Sequence, residues 1–168
     1  MRNVTIPSIE SVNNGKVIRR TNYSTVIDGL DGWIYKTTNE EYTKTEFSML
    51  TKMHDSGYVP EAIKLSDTML AIRHLGEQHE SWKGVTDAGA FMSHKQRILD
   101  ALGAAGVRHG DLTRHAIVVV NNKPMIIDWA QSKLADDQTP DKRSGGDAFW
   151  LDCAMREIMG YSTRGTIT

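Results

Sequence analysis

His109-Gly110-Asp111-Leu112-Thr113-Arg114-His115-Ala116-Ile117-Val118-Val119-Val120-Asn121-Asn122-Lys123-Pro124-Met125-Ile126-Ile127-Asp128-Trp129 places two acids at the outer ends of one strand–turn–strand unit. Asp111 lies in a polar loop that leads into the apolar run 117–120. Asn121-Asn122-Lys123-Pro124 supplies turn chemistry, and the apolar run 125–127 delivers Asp128. A two-stranded hairpin brings its outer ends together, so the two carboxylates are expected to face one small volume. Phosphoryl transfer uses such a pair, one carboxylate beside the attacking hydroxyl and the other holding the metal on the nucleotide phosphates.

Upstream, residues 16–20, 25–28 and 33–37 are β-leaning segments separated by Thr21-Asn22-Tyr23-Ser24 and by Gly29-Leu30-Asp31-Gly32, a good hairpin turn. Asn39 offers a helix N-cap, with Glu40 and Glu41 in the first turn, where the helix dipole favours acids. Phe47, Leu50, Met53 and His54 recur at helical spacing on one face, and Gly57 stops the helix. Val59-Pro60-Glu61 leads into a strand pair, 62–65 and 69–73, and His74-Leu75-Gly76 reads as a hinge. Residues 88–105 are helical, with Phe91, Ile98, Leu102 and Ala105 on or near one side. Downstream of the hairpin, residues 134–145 form a polar, irregular loop. Asp147 is expected to cap a last helix running to about Met159, with Trp150 and Cys153 as core candidates and a frayed tail over 161–168.

The 168 residues suffice for one domain, or for two small lobes sharing a cleft. A formal net charge of -1 gives no electrostatic reason to expect nucleic acid or a membrane surface as partner. Cys153 is the only cysteine, which excludes an intramolecular disulfide and suits a reducing compartment. No apolar run reaches membrane-span length and no signal peptide is visible. A cytoplasmic location is therefore expected, in a host cell if the compact gene is phage-borne.

His-Gly-Asp-Leu at 109–112, the apolar run 117–120 and Ile-Ile-Asp-Trp at 126–129 resemble the catalytic loop and metal-binding strand of the protein-kinase-like superfamily. Glycine after the histidine makes the loop similar to aminoglycoside and choline phosphotransferases, and to the small atypical kinase of the tRNA threonylcarbamoyladenosine system. The order of elements over residues 16–160 fits the same resemblance. It implies an α+β, bilobal protein-kinase-like fold in one domain, 1–168. A small antiparallel-sheet N-lobe would span 1–75 and a truncated helical C-lobe 76–168.

The resemblance also implies roles. Asp111 would orient the attacking hydroxyl and accept its proton, and Asp128 would hold the metal. Lys36, closing Gly32-Trp33-Ile34-Tyr35-Lys36, would contact nucleotide phosphates and pair with a helix glutamate. That partner is expected to be Glu46, with Glu40 and Glu41 as competing assignments. The glycine-free turn 21–24 stands where a glycine-rich phosphate loop would be, and Ser24 would assist a phosphate there. Ile72 falls at the gatekeeper place, with the 73–75 backbone, His74 included, along the adenine edge. His109 would brace the loop under the metal-binding strand, and Asp147 would accept hydrogen bonds from the loop backbone. One departure stands out: the superfamily's metal-binding Asn, five residues after the catalytic Asp, is Ala116 here. His115 is one residue away, but imidazole suits magnesium poorly and a surface or packing role fits it better.

The function expected from these residues is an ATP- and Mg²⁺-dependent phosphotransferase (Mn²⁺ as substitute) acting on a protein hydroxyl: a minimal serine/threonine kinase, with autophosphorylation as one route. A protein substrate or partner is implied. Two alternatives stand beside it. A pseudokinase that binds nucleotide or scaffolds a partner is favoured by Ala116 and the glycine-free turn, and a small-molecule phosphotransferase by the His-Gly-Asp loop.

Overall fold

Short alternating segments joined by tight turns pair most simply as antiparallel neighbours, and the N-terminal part of the chain does this. The computed structural model describes residues 5–164, with side chains as far as residue 161. A short helix, α1 (Ile9–Asn14), precedes the sheet strands β1 (Lys16–Arg20), β2 (Ser24–Asp28) and β3 (Trp33–Thr38). Helix α2 (Glu40–Met53) follows, then β4 (Ala62–Ser66) and β5 (Met69–Arg73). The five strands form one antiparallel sheet in the order β1-β2-β3-β5-β4. Lys36 on the central β3 stands opposite Val26 on one side and Leu70 on the other.

Asn39 caps α2 through a 2.8 Å bond from the Tyr42 amide. The buried face of α2 is Thr43, Glu46, Met49, Leu50 and Met53. The apolar stripe read from sequence is therefore rotated: Phe47 is half-buried and His54 exposed. Apolar spacing alone put Phe47 inside. A buried partner for Glu46, described below, turns the helix towards Glu46.

Beyond β5 and the 74–76 segment read as a hinge comes helix α3 (Gln78–Trp82), which the sequence reading did not anticipate. Glu77 caps it, accepting from the amides of His79 (3.1 Å) and Glu80 (2.6 Å). Helix α4 (Ala88–Ala105) is capped by Asp87 and ends at Gly106 in the left-handed region, φ +67. Then come β6 (Val107–Arg108), a 3-10 turn (Arg114–Ala116) and the hairpin β7 (Ile117–Val120) and β8 (Lys123–Ile126). The hairpin turns on Asn121 and Asn122 alone, both at positive φ (51 and 59), as a two-residue type I′ turn demands. Lys123 and Pro124 already belong to β8, and Pro124 stands opposite Val119. Strand β9 (Lys133–Leu134) pairs back with β6, a contact the sequence did not announce.

The last helix, α5 (Gly146–Arg164), extends past the expected end near Met159; of the tail expected to fray, residues 165–168 lie outside the described residues. Asp147 sits inside its first turn and is not its cap. Leu151, Ala154, Met155 and Ile158 supply its buried face. Cys153 and Trp150 are only partly buried, and the Trp150 indole donates to the Ser144 carbonyl at 2.8 Å.

The main core joins α2, α4, α5 and the hairpin through residues such as Met53, Phe91, Ile98, Ile117, Trp129 and Met155. A smaller cluster, Trp33, Tyr35 and Ala71, covers the other face of the sheet. The result is a mixed α+β, small kinase-like fold. No helix among the described residues is long and apolar enough to cross a membrane.

Trp82 is fully buried, and its indole N–H donates to the Ile117 carbonyl at 2.9 Å, fastening α3 to the hairpin. Trp82→Ala is expected to cost about 3–5 kcal/mol in urea denaturation; a loss below about 1 kcal/mol would show that α3 is not part of the core.

Candidate active site

Side chains alternate along a strand, so burying Trp33 and Tyr35 on one face of β3 sends Lys36 to the other. There it is 6% exposed, with Nζ 2.7 Å from Glu46 Oε2 and 3.5 Å from Asp128 Oδ1. Glu46 is 1% exposed, and its Oε1 accepts from the Trp129 amide at 3.3 Å. Glu40 and Glu41, the competing partners, are exposed at the start of α2. Burial, the largest influence on the Lys36 ammonium, lowers its pKa, but the charges of Glu46 and Asp128 outweigh it and hold the pKa above the ordinary value.

Asp128 has φ +61, in the left-handed region that a non-glycine residue occupies at a cost of roughly 1–2 kcal/mol. Its neighbours fix it there: the Ile127 amide donates to the Ala116 carbonyl at 2.8 Å, and Trp129 N is held by Glu46. The carboxylate is about one-third exposed, and Arg19 Nη2 from β1 reaches the same Oδ1 at 3.5 Å. Two cations therefore converge on one oxygen.

His109 is buried. Its Nε2 donates to the Ile127 carbonyl at 2.9 Å and its Nδ1 accepts from the Asp111 amide at 3.3 Å, so the ring ties the loop to the strand end. Asp147 accepts from the His109 and Gly110 amides at 2.7 and 3.0 Å. Gly110 has φ +79, and a Cβ there would lie 3.2 Å from Asp141, so the loop needs glycine. Asp111 itself faces two cations of the following loop, Lys142 Nζ at 2.7 Å from Oδ2 and Arg143 Nε at 2.6 Å from Oδ1. Burial alone would raise the Asp111 pKa, but these two partners hold it below the usual carboxylate value.

A cleft of about 700 Å³ opens between the sheet and the hairpin, within the roughly 300–1,000 Å³ typical of small-molecule sites. Lys36, Glu46, Asp128 and Ile72 line it, as do residues 73–76, including His74. The His74 amide donates to Gly32 O at 2.9 Å, and its Nε2 lies 3.9 Å from Asp28 Oδ2. Arg19 and Gln78 also line the cleft. Ser24 and Asp111 are not among the lining residues. Ser24 is held within its own turn, its Oγ 3.2 Å from Thr21 Oγ1 and its amide donating to that same oxygen at 3.0 Å.

Ala116 is 2% exposed and belongs to the apolar core. His115 is exposed, 6.1 Å from the Trp82 ring; burial, then Arg114, lower its pKa. Among the described residues no group of three or more His, Cys, Asp or Glu is placed to hold a metal by itself. Asp128 places a carboxylate at the cleft wall, which suits a hard divalent cation that takes its remaining ligands from phosphate and water.

Sequence reading missed Arg19, Gln78, Lys142 and Arg143. Gln78 Nε2 donates to the carbonyls of His115 (2.6 Å) and Ile117 (3.1 Å), bracing the loop from the hinge side. The adjacent Lys-Arg pair was a visible signal, but nothing local says that its partner is an acid some thirty residues earlier.

A comparison with protein families matches the RIO domain to residues 32–142, more than half the chain, a span that includes Lys36, Glu46, Asp111 and Asp128. A comparison with curated proteins finds no match.

Lys36→Met is expected to strand the buried Glu46 carboxylate and destabilise the protein by about 3–5 kcal/mol, while Lys36→Met with Glu46→Leu recovers most of the loss. Urea denaturation of the three proteins checks this, and a near-neutral single substitution would dismiss the pair as a constraint. The pKa directions predict how stability depends on pH. The raised Lys36 pKa makes its contribution full below the ordinary lysine value and lost as pH rises through the raised one. The lowered Asp111 pKa makes its contribution full above the ordinary carboxylate range and lost as pH falls through the lowered value. Melting temperature against pH should thus fall at both extremes, and Asp111→Asn should flatten only the acid limb.

Proposed function

The chain belongs to the RIO domain family, atypical kinase-like, ATP-binding phosphotransferases of the protein-kinase-like superfamily, and we propose that it transfers the γ-phosphoryl group of ATP to a serine or threonine hydroxyl of a protein. The observation that carries this reading is the buried Lys36–Glu46 pair aimed at Asp128 in a cleft of nucleotide size.

In this reading Ile72 and the 73–76 backbone bound the base, and Lys36 stands fixed where phosphate charge arrives, so it needs no reorganisation. Arg19 takes the place of the glycine-rich loop as a second phosphate contact, since the 21–24 turn is closed on itself. Asp128 would hold the divalent metal, whose contribution is to neutralise and align the phosphates. Asp111 orients the acceptor hydroxyl and takes its proton. Ala116, packed in the apolar core, supplies no side-chain ligand in this arrangement.

Capping of both Asp111 oxygens by Lys142 and Arg143 favours a second reading, a pseudokinase that binds nucleotide without transfer. Incubation with γ-labelled ATP and Mg²⁺ or Mn²⁺, with and without a generic protein acceptor, separates the two. Labelling is expected in the parent and lowered about 10²- to 10⁴-fold in Asp111→Asn, and ATP with metal should raise the melting temperature of the parent but not of Asp128→Asn. ATP binding with no label under either metal would establish the second reading. Equal labelling by parent and Asp111→Asn would remove Asp111 from its role.

A further inference from the structure

Lys142 and Arg143 occupy both oxygens of Asp111, at 2.7 and 2.6 Å. A carboxylate held this way cannot receive a hydroxyl proton until at least one cation leaves. The loop carrying them is held on both sides, so the freedom lies in the side chains: the Arg143 amide donates to the Gly110 carbonyl at 3.1 Å and the Trp150 indole to the Ser144 carbonyl at 2.8 Å. Arg108 Nε pairs with Asp141 at 2.8 Å, and the same guanidinium donates to the carbonyls of Asp137 (2.6 Å) and Thr139 (2.8 Å). Past Arg143, Gly145 and Gly146 take φ +111 and +80, a backbone that glycine adopts freely. The two side chains are 52% and 42% exposed, so each can swing into solvent.

Next to them is a hollow of about 180 Å³ lined by Thr113, Arg114, His115, Arg143, Trp150 and Glu157, among others. Arg143 spans the two places: its Nε is on Asp111, and its guanidinium carbon is 5.2 Å from the Trp150 ring. Arg114 pairs with Glu157 through Nη1, yet its Nε is buried with no hydrogen-bond partner. A buried donor without an acceptor is costly, and the wall of the neighbouring hollow carries two arginines against one glutamate. An anionic group entering there would find the partly exposed guanidinium groups of Arg114 and Arg143.

We propose that Lys142 and Arg143, backed by Arg114, form the acceptor subsite and select a protein segment whose serine or threonine is flanked by acidic side chains. This rests on the phosphotransfer reading above. The acidic flank exchanges with Asp111 for the two cations. Freed, Asp111 takes the hydroxyl proton as the hydroxyl oxygen bonds to the γ-phosphorus. The bond from that phosphorus to the β–γ bridging oxygen breaks, and ADP leaves. A neutral or basic flank leaves the cations on Asp111 and the site closed.

Fluorescent peptides of one sequence, with the threonine flanked by Glu, Gln or Lys, test this by anisotropy against the full chain, alongside kcat/KM for the same peptides. At low ionic strength the Glu peptide is expected to bind about tenfold more tightly than the Gln peptide. Lys142→Gln with Arg143→Gln should abolish the preference, and Lys142→Glu with Arg143→Glu should invert it towards the Lys peptide. An unchanged thermal shift with ATP verifies that each variant is folded. Equal binding of the three peptides by the parent, or a preference that survives the double substitutions, overturns the proposal. A Glu preference in binding without label transfer keeps the subsite and sinks the phosphotransfer reading instead.

Discussion

The carboxylate of Glu46 is the constraint on which the rest depends. At 1% exposure it cannot remain charged without partners, and it has two: the Lys36 ammonium and the Trp129 amide. Those partners come from the central strand of the sheet and from the segment just after the hairpin. One buried group therefore fixes the rotation of α2, the face of β3 and the end of β8 together. Asp128 lies between the two contacts, so its left-handed backbone is held by the same network.

A second network supports the loop. His109 bridges the Ile127 carbonyl and the Asp111 amide, and Asp147 takes the next two amides. Hydrogen bonds thus fix the backbone that carries Asp111, leaving its side chain to settle its own electrostatics. Each of the two acids then finds two cations, Lys36 and Arg19 for Asp128, Lys142 and Arg143 for Asp111. A formal net charge of -1 hides this local arrangement completely. Four cations at the two site acids suit a ligand that brings its own negative charge.

Much of this was legible in the chain. The five sheet strands, Asn39 as a cap, helix 88–105 and the hairpin follow from periodicity and turn residues, because those are local preferences. Glu46 as the partner of Lys36, and Asp147 on the loop amides, followed from the resemblance of the motifs. Other features were not legible. The inward face of α2 was misjudged because apolar spacing ignores a buried charge. Helix α3 was missed because five residues carry too little periodicity, and its stability comes from Trp82 packing on the hairpin. Ala116 was noticed as a missing ligand, but only the packed structure places it in the apolar core.

By itself, then, the sequence determined which charged residues the motifs single out and the order in which the fold presents them, since motif spacing and strand alternation are properties of neighbours along the chain. Tertiary structure alone decided what those residues touch. That Asp111 rests on Lys142 and Arg143, and does not line the cleft with Asp128, depends on a loop returning across some thirty residues. Ion pairing in space carries no periodicity in sequence. The same holds for Arg19, whose reach to Asp128 exists only once β1 lies over the hairpin. The two carboxylates that mark the fold in the sequence are, in the folded protein, two separately guarded charges.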